Sequence, residues 1–109
     1  MGIVMIGFAS PLDDAHDGEF NSWYENKHIP QVRAAVPGVR SVRRYRAADF
    51  QAAPEAAPHR YAAVYEIEGA RPEEVLGALG AATASGALEP GSAMDTTRTP
   101  PFLAFYEPL

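Results

Sequence analysis

A chain of 109 residues with 47% hydrophobic and 21% charged side chains has room for one hydrophobic core and is too apolar to stay disordered. Its net charge of -5 and pI near 5.0 exclude a broad nucleic-acid or anionic-membrane surface, because such partners are held by clustered Lys and Arg. No cysteine is present, which removes disulfides, thiolate metal sites and cysteine nucleophiles.

The first element, Ile3 to Ala9, is a short apolar run closed by Ser10 and Pro11. It reads as a strand buried on both faces and, lacking a basic flank, not as a signal peptide. Asp17 follows a polar loop and is placed to cap a helix that opens at Gly18 or Glu19 and runs to about Ala35, where Val36-Pro37-Gly38 ends it. Val39 to Ala47 alternates, with Val39, Ser41, Arg43 and Tyr45 on one face and Arg40, Val42, Arg44 and Arg46 on the other. Ala48 to His59 is an Ala- and Pro-rich connection with His59 alone in it, and Tyr61 to Glu68 is a third strand ended by Gly69. Pro72-Glu73-Glu74 opens a second helix whose apolar stripe is Val75, Leu76, Leu79 and Ala82, up to Gly86. A long loop from Leu88 to Pro101 leads to a last strand, Phe102 to Glu107.

The order strand, helix, strand, strand, helix, strand predicts an α+β, ferredoxin-like β-α-β-β-α-β sandwich, one domain over residues 1–109, with both helices on one face of an antiparallel sheet. The other sheet face is too apolar to meet water, so a second copy of the chain is expected to cover it. No run approaches the ~18 apolar residues of a membrane span, and the chain is expected to be soluble and cytoplasmic.

The first helix carries an unusual octet, Trp23-Tyr24-Glu25-Asn26-Lys27-His28-Ile29-Pro30. At about 100° per residue, Phe20, Tyr24, His28, Gln31 and Ala35 share a face that points at the sheet, flanked by Trp23 and Lys27. Pro30 cannot donate to the Asn26 carbonyl, so the helix should kink or restart after His28 and leave room beside it. His28 is then either a partly buried core histidine bonded to a backbone carbonyl or an acid/base in a pocket. The second reading gathers His28, Tyr24, Tyr45, Tyr65, Arg43 and Arg44 around an apolar cavity walled by Trp23 and Phe102.

Other constellations carry less. Asp13, Asp14, His16, Asp17 and Glu19 crowd one loop, but a solvated acidic loop is the expectation, and no metal. Arg40, Arg43, Arg44 and Arg46 are split between two faces, with Glu66 and Glu68 available as partners. No phosphate loop, nucleophile elbow or dinucleotide fingerprint occurs, so no nucleotide cofactor is expected. Haem would require ligation by His28 or another histidine. Asp95 and Arg98 lie in the long loop before the last strand, a place where lids occur.

The pattern Phe20-Asn21-x-Trp23-Tyr24-x-x-x-His28-Ile29-Pro30, followed by Val36-Pro37-Gly38-Val39, by Arg43-Arg44-Tyr45 and by the closing Tyr106-Glu107, resembles the dimeric α+β barrel superfamily. It looks most like the EthD-like branch, whose first helix carries Trp, His and Pro at this spacing. The resemblance implies a homodimeric barrel with one pocket per subunit between the sheet and the first helix, taking a small molecule, and no cofactor. In relatives that act as cyclases or dehydratases an inward histidine with tyrosine partners is the acid/base, and the matching position is His28. Tyr24, Tyr45 and Tyr65 are the expected catalytic partners, and Trp23, Arg43, Arg44, Phe102 and Tyr106 the expected substrate contacts. The function so implied is cyclisation, dehydration or isomerisation of an aromatic or polyketide-like substrate. The alternatives are a cofactor-free monooxygenase of the same fold and a non-catalytic ligand-binding protein.

Overall fold

A computed structural model describes residues 2–109. Four strands, β1 (Gly2–Ala9), β2 (Val39–Arg46), β3 (Tyr61–Glu68) and β4 (Phe102–Tyr106), form one antiparallel sheet in the order β2-β3-β1-β4. The helical layer comprises α1 (Asp17–Trp23), a π-helical turn (Tyr24–His28), α2 (Ile29–Ala35) and α3 (Pro72–Ser85). This is the ferredoxin-like arrangement expected from the element order.

The core is the seam between sheet and helices. Ile3, Met5, Tyr65 and Ile67 project from β1 and β3 to meet Phe20, Tyr24, Val32, Val36 and Val75. Burial along β1 alternates strictly, so this strand is buried on one face only and its Val4, Ile6 and Phe8 are half-exposed on the other. The other face of β1, expected to be buried as well, is crossed by no element among the described residues; it belongs to the sheet face for which a second copy of the chain is the expected cover.

On β2 the alternation is broken. Val39 pairs with Ile67 and Ser41 with Glu66, so Arg40 is the extra residue of a β-bulge. Val39 therefore joins Val42, Arg44 and Arg46 on the helix-facing side, whereas the uninterrupted alternation had put it with Ser41, Arg43 and Tyr45. The turn before it needs glycine: Gly38 has φ +93, and a Cβ there would run into the Glu68 carbonyl oxygen.

Two helix details also differ from expectation. Asp17 lies inside the first helical turn and does not cap it; its carboxylate instead accepts 2.6 Å from the Tyr61 hydroxyl, and it is Asp13 that caps the short 3-10 turn Asp14–His16. Leu76 is 55% exposed, because the buried stripe of α3 runs through Val75, Ala78, Leu79 and Ala82. Gly86 closes α3 in the left-handed conformation, φ +84.

Candidate functional site

The octet of the first helix folds as a π-turn. The Ile29 N–H reaches back to the Tyr24 carbonyl, five residues away, where an α-helix would bond four residues back. Pro30, with no N–H to give, sits just beyond it, so the wider turn is placed where the α-ladder is already broken. The consequence for side chains is large. In an α-helix residues 23 and 28 point about 140° apart; here the His28 ring stacks on Trp23, 4.7 Å between centroids and 27° from parallel, while its edge meets Tyr24, also at 4.7 Å. The restart after His28 thus occurs as anticipated, but through a π-turn, which brings Trp23 from the flank of the helix to face the imidazole.

A cavity of about 240 Å³ opens beside this group, lined among others by Gly7, Trp23, Tyr24, His28, Phe102 and Leu103. Gly7 forms its floor. A Cβ at that position would stand 3.4 Å from both the Tyr24 hydroxyl and Leu103 Cδ2, so glycine keeps the space above β1 open. The far face of the Trp23 indole rests on Gly91, where a Cβ would come within 2.8 Å of the ring. The loop after α3 is bound to the first helical segment from outside: Glu89 accepts from Lys27 Nζ at 3.3 Å and from Gln31 Nε2 at 2.8 Å.

Burial governs the electrostatics. Desolvation first, and the nearby Arg44 charge second, lower the His28 pKa to about 4, so the imidazole is neutral at physiological pH. Its Nδ1 is buried and has no hydrogen-bond partner among the described residues; the same holds for Trp23 Nε1. Burial raises Tyr24, against the opposing influence of the Tyr65 hydroxyl and Arg44, and burial raises Tyr65 further, reinforced by Tyr24. Both phenols are therefore protonated donors. Arg44 reaches under the helix from β2, its guanidinium carbon 4.4 Å from the Tyr24 ring centre, 5.2 Å from that of Tyr61 and 5.9 Å from that of Phe20. One nitrogen donates to Glu25 Oε1 at 3.2 Å, while Nε and Nη2 are buried against the rings without partners among the described residues.

Of the residues singled out in the sequence, His28, Tyr24, Trp23 and Phe102 meet at this cavity, and Tyr65 and Arg44 stand behind Tyr24. Arg43, Tyr45 and Tyr106 do not join them within one chain. Their pairing opposite Val64, Ala62 and Val4 puts them on the other face of the sheet, and Tyr45 is 51% and Tyr106 58% exposed there. The bulge at Arg40 leaves this parity from Ser41 onward intact, so the sheet separates these three from His28, Tyr24 and Trp23, while Phe102, opposite Phe8, shares their face and reaches the cavity at the sheet edge.

The loops resolve differently from their composition. Asp95 is buried and accepts from the backbone N–H groups of Thr97, Arg98 and Thr99, each at 3.0 Å, so its carboxylate holds its own loop. Arg98 donates to the Leu12 carbonyl at 2.8 Å. His59, expected to lie alone, is buried against Phe8 and Phe102 with Nε2 2.8 Å from the Pro100 carbonyl. In the acidic loop, His16 pairs with Asp13 and Arg60 with Asp14 and Asp17. Of the acids expected to partner the β2 arginines, Glu68 pairs with Arg40 and Glu66 accepts from Ser41 instead. Among the described residues no helix is long and apolar enough to cross a membrane. Gly7, Gly91 and Met94 were not foreseen: glycine in a strand or loop and a lone methionine carry no site signature until the helix is placed against them.

No family model matches the chain, and no curated protein does. Solved structures do. HapK from Hahella chejuensis superposes with a TM-score of 0.64 at 19% identity, over 98% of this chain and 92% of that one. An EthD-like protein from Ralstonia eutropha gives 0.59 at 14% identity over 98% and 92%. A dimeric ferredoxin-like protein of unknown function from Jannaschia gives 0.62 at 12% identity over 98% and 99%. The chain has the α+β ferredoxin-like fold of the EthD-like proteins. In that fold the cavity beside His28 lies at the seam between β1, β4 and the first helical segment, reached from the sheet edge at Phe102 and Leu103.

Proposed function

We propose that the chain is a homodimeric, cofactor-independent enzyme that moves a proton on an aromatic or polyketide-like small molecule, in a cyclisation, dehydration or isomerisation. The observation that carries this reading is the buried, unpartnered Nδ1 of a neutral His28 beside an apolar cavity. A neutral imidazole accepts a proton; one whose conjugate acid has a pKa of about 4 is a weak base, suited to a proton already acidified by flanking carbonyls. Tyr24, protonated at the cavity wall, donates to the carbonyl oxygen as it gains enolate charge, and Arg44 over its ring favours that donation. Tyr65 backs Tyr24, and Trp23 and Phe102 hold the substrate ring.

The second copy covers the outer sheet face, where Tyr45, Phe102 and Tyr106 are each at least half exposed. Several proteins of this fold are dimeric, and a sheet face this apolar is stabilised by burial. Arg43, Tyr45 and Tyr106 then belong to the subunit interface, from which Phe102 bridges to the cavity.

The low basicity of His28 also favours a second reading, a binding protein in which the imidazole only accepts a hydrogen bond from a phenol. The two separate on one experiment. His28 is followed by NMR while phenolic and polyketide-like compounds are added, and each binder is then tested for turnover by the native chain and by His28→Ala. Catalysis predicts a fall of about a hundredfold or more in the variant; equal turnover overturns it, and a bound compound recovered unchanged supports the binding protein. Oxygen uptake during turnover would mark a monooxygenase.

A further inference from the structure

Trp23, His28 and Met94 wall two cavities at once. On one side lies the chamber of about 240 Å³ already described; on the other lies one of about 410 Å³, bounded further by Thr83, Gly86, Leu88, Glu89 and Pro90. Within the shared wall Trp23 is fixed, because its indole is held between the His28 ring and Gly91. Met94 is the part that can yield. Its backbone is tied by a bond to the Gly91 carbonyl and a bridge to Pro11, but its side chain is unbranched and turns about several bonds, so a change of rotamer joins the chambers without moving the chain.

The polar inventory of the two chambers differs. In the larger one the Glu89 carboxylate is taken by Lys27 and Gln31, and the Thr83 hydroxyl donates to the Leu79 carbonyl of its own helix at 2.9 Å. What it offers a ligand is Leu88, Pro90 and Met94. The smaller one adds the Tyr24 hydroxyl, beside Gly7; His28 Nδ1 and Trp23 Nε1, unpartnered among the described residues, belong to rings that line both chambers and are themselves buried.

We propose that the two chambers form one elongated site for an amphipathic ligand: an aromatic ring with a hydroxyl or carbonyl group lies in the smaller chamber, and an unbranched apolar tail passes Met94 into the larger. The inference rests on the reading of the smaller chamber as the small-molecule site. The ring's oxygen meets the Tyr24 hydroxyl, and the tail meets a chamber where the Thr83 and Glu89 polar groups are already engaged.

The test is a series of 4-alkylphenols, from methyl to hexyl, titrated into the chain by calorimetry, with Thr83→Trp as the second arm. Thr83 is exposed on α3, so the larger side chain reaches into the tail chamber without entering the core. The expected result is a gain of about fourfold in affinity per methylene, lost for the longer members in Thr83→Trp while 4-methylphenol binds as before. Affinity independent of tail length, or a tail gain untouched by Thr83→Trp, overturns the two-chamber site and leaves the ring site standing. Binding of no member of the series overturns the smaller chamber as the ring site, and both readings with it.

Discussion

The His28 imidazole and the Trp23 indole lie face to face, 4.7 Å between centroids, and Gly91 supports the indole from behind. The stack therefore depends on the absence of a side chain in a loop far away in sequence. Gly91→Ala would place a methyl within 2.8 Å of the ring. The variant is expected to lose about 1–3 kcal/mol of stability through overpacking and to shift the emission of the chain's one tryptophan. An unchanged spectrum and unfolding midpoint would mean that the contact is absent in solution.

His28 makes stability depend on pH with a definite sign. Its ordinary pKa of about 6.5 falls to about 4 in the folded chain, so between these values the unfolded state binds the extra proton. Stability on this account is full above pH ~6.5 and declines as pH falls toward 4, by at most on the order of 3 kcal/mol. His28→Gln removes that part of the slope. Denaturant titrations of the two proteins between pH 4 and 7 should converge or diverge accordingly; parallel curves would contradict a buried neutral imidazole.

Arg44 is 13% exposed at its side chain and leaves two nitrogens unpartnered among the described residues. Its cation–π contacts contribute about 1–2 kcal/mol, whereas each buried unpaired donor costs about 1–3 kcal/mol. Arg44→Met is therefore expected to be neutral or stabilising, as replacements of buried charges often are. It should also raise the His28 pKa by removing the neighbouring charge. Loss of several kcal/mol, read by chemical denaturation, would show hydrogen bonds that this geometry lacks.

A charge in the middle of the outer sheet face tests the subunit interface. Val64 pairs with Ile6 on one side and Arg43 on the other, facing away from the helices. Val64→Asp is expected to give a folded monomer by sedimentation velocity, because an unpaired carboxylate is costly to desolvate. A dimer that survives it assembles through another surface.

The helix that bears His28 and the order of strands were legible because periodicity records which face an element buries. Three features escaped it, each because it depends on registration with a second element. The bulge at Arg40 shows only when β2 is laid against β3, since Arg40 and its neighbours alternate well on their own. The exposure of Leu76 follows from how α3 is rotated on the sheet, and both Leu76 and Ala78 satisfy a helical stripe. The π-turn was announced only by Pro30, which marks a break without saying how the chain repairs it. The same limit applies to the site. His28 and Tyr24 share an element and were read together, whereas Tyr45 and Arg43 were grouped with them although the alternation of β2 set them opposite Arg44; which of those faces meets the helices the sequence alone did not define.

The wide turn at Tyr24–His28 has a consequence for how this chain can vary. A side chain on a helix is aimed by counting residues, about 100° for each, so a substitution between Trp23 and Ile29 leaves the direction of the imidazole alone. Loss of one residue between Trp23 and His28 would restore a regular coil with the two rings four residues, and about 40°, apart and so still on one face. The wide turn thus amounts to one residue inserted into an α-helix, and tolerance of its deletion would be its mark.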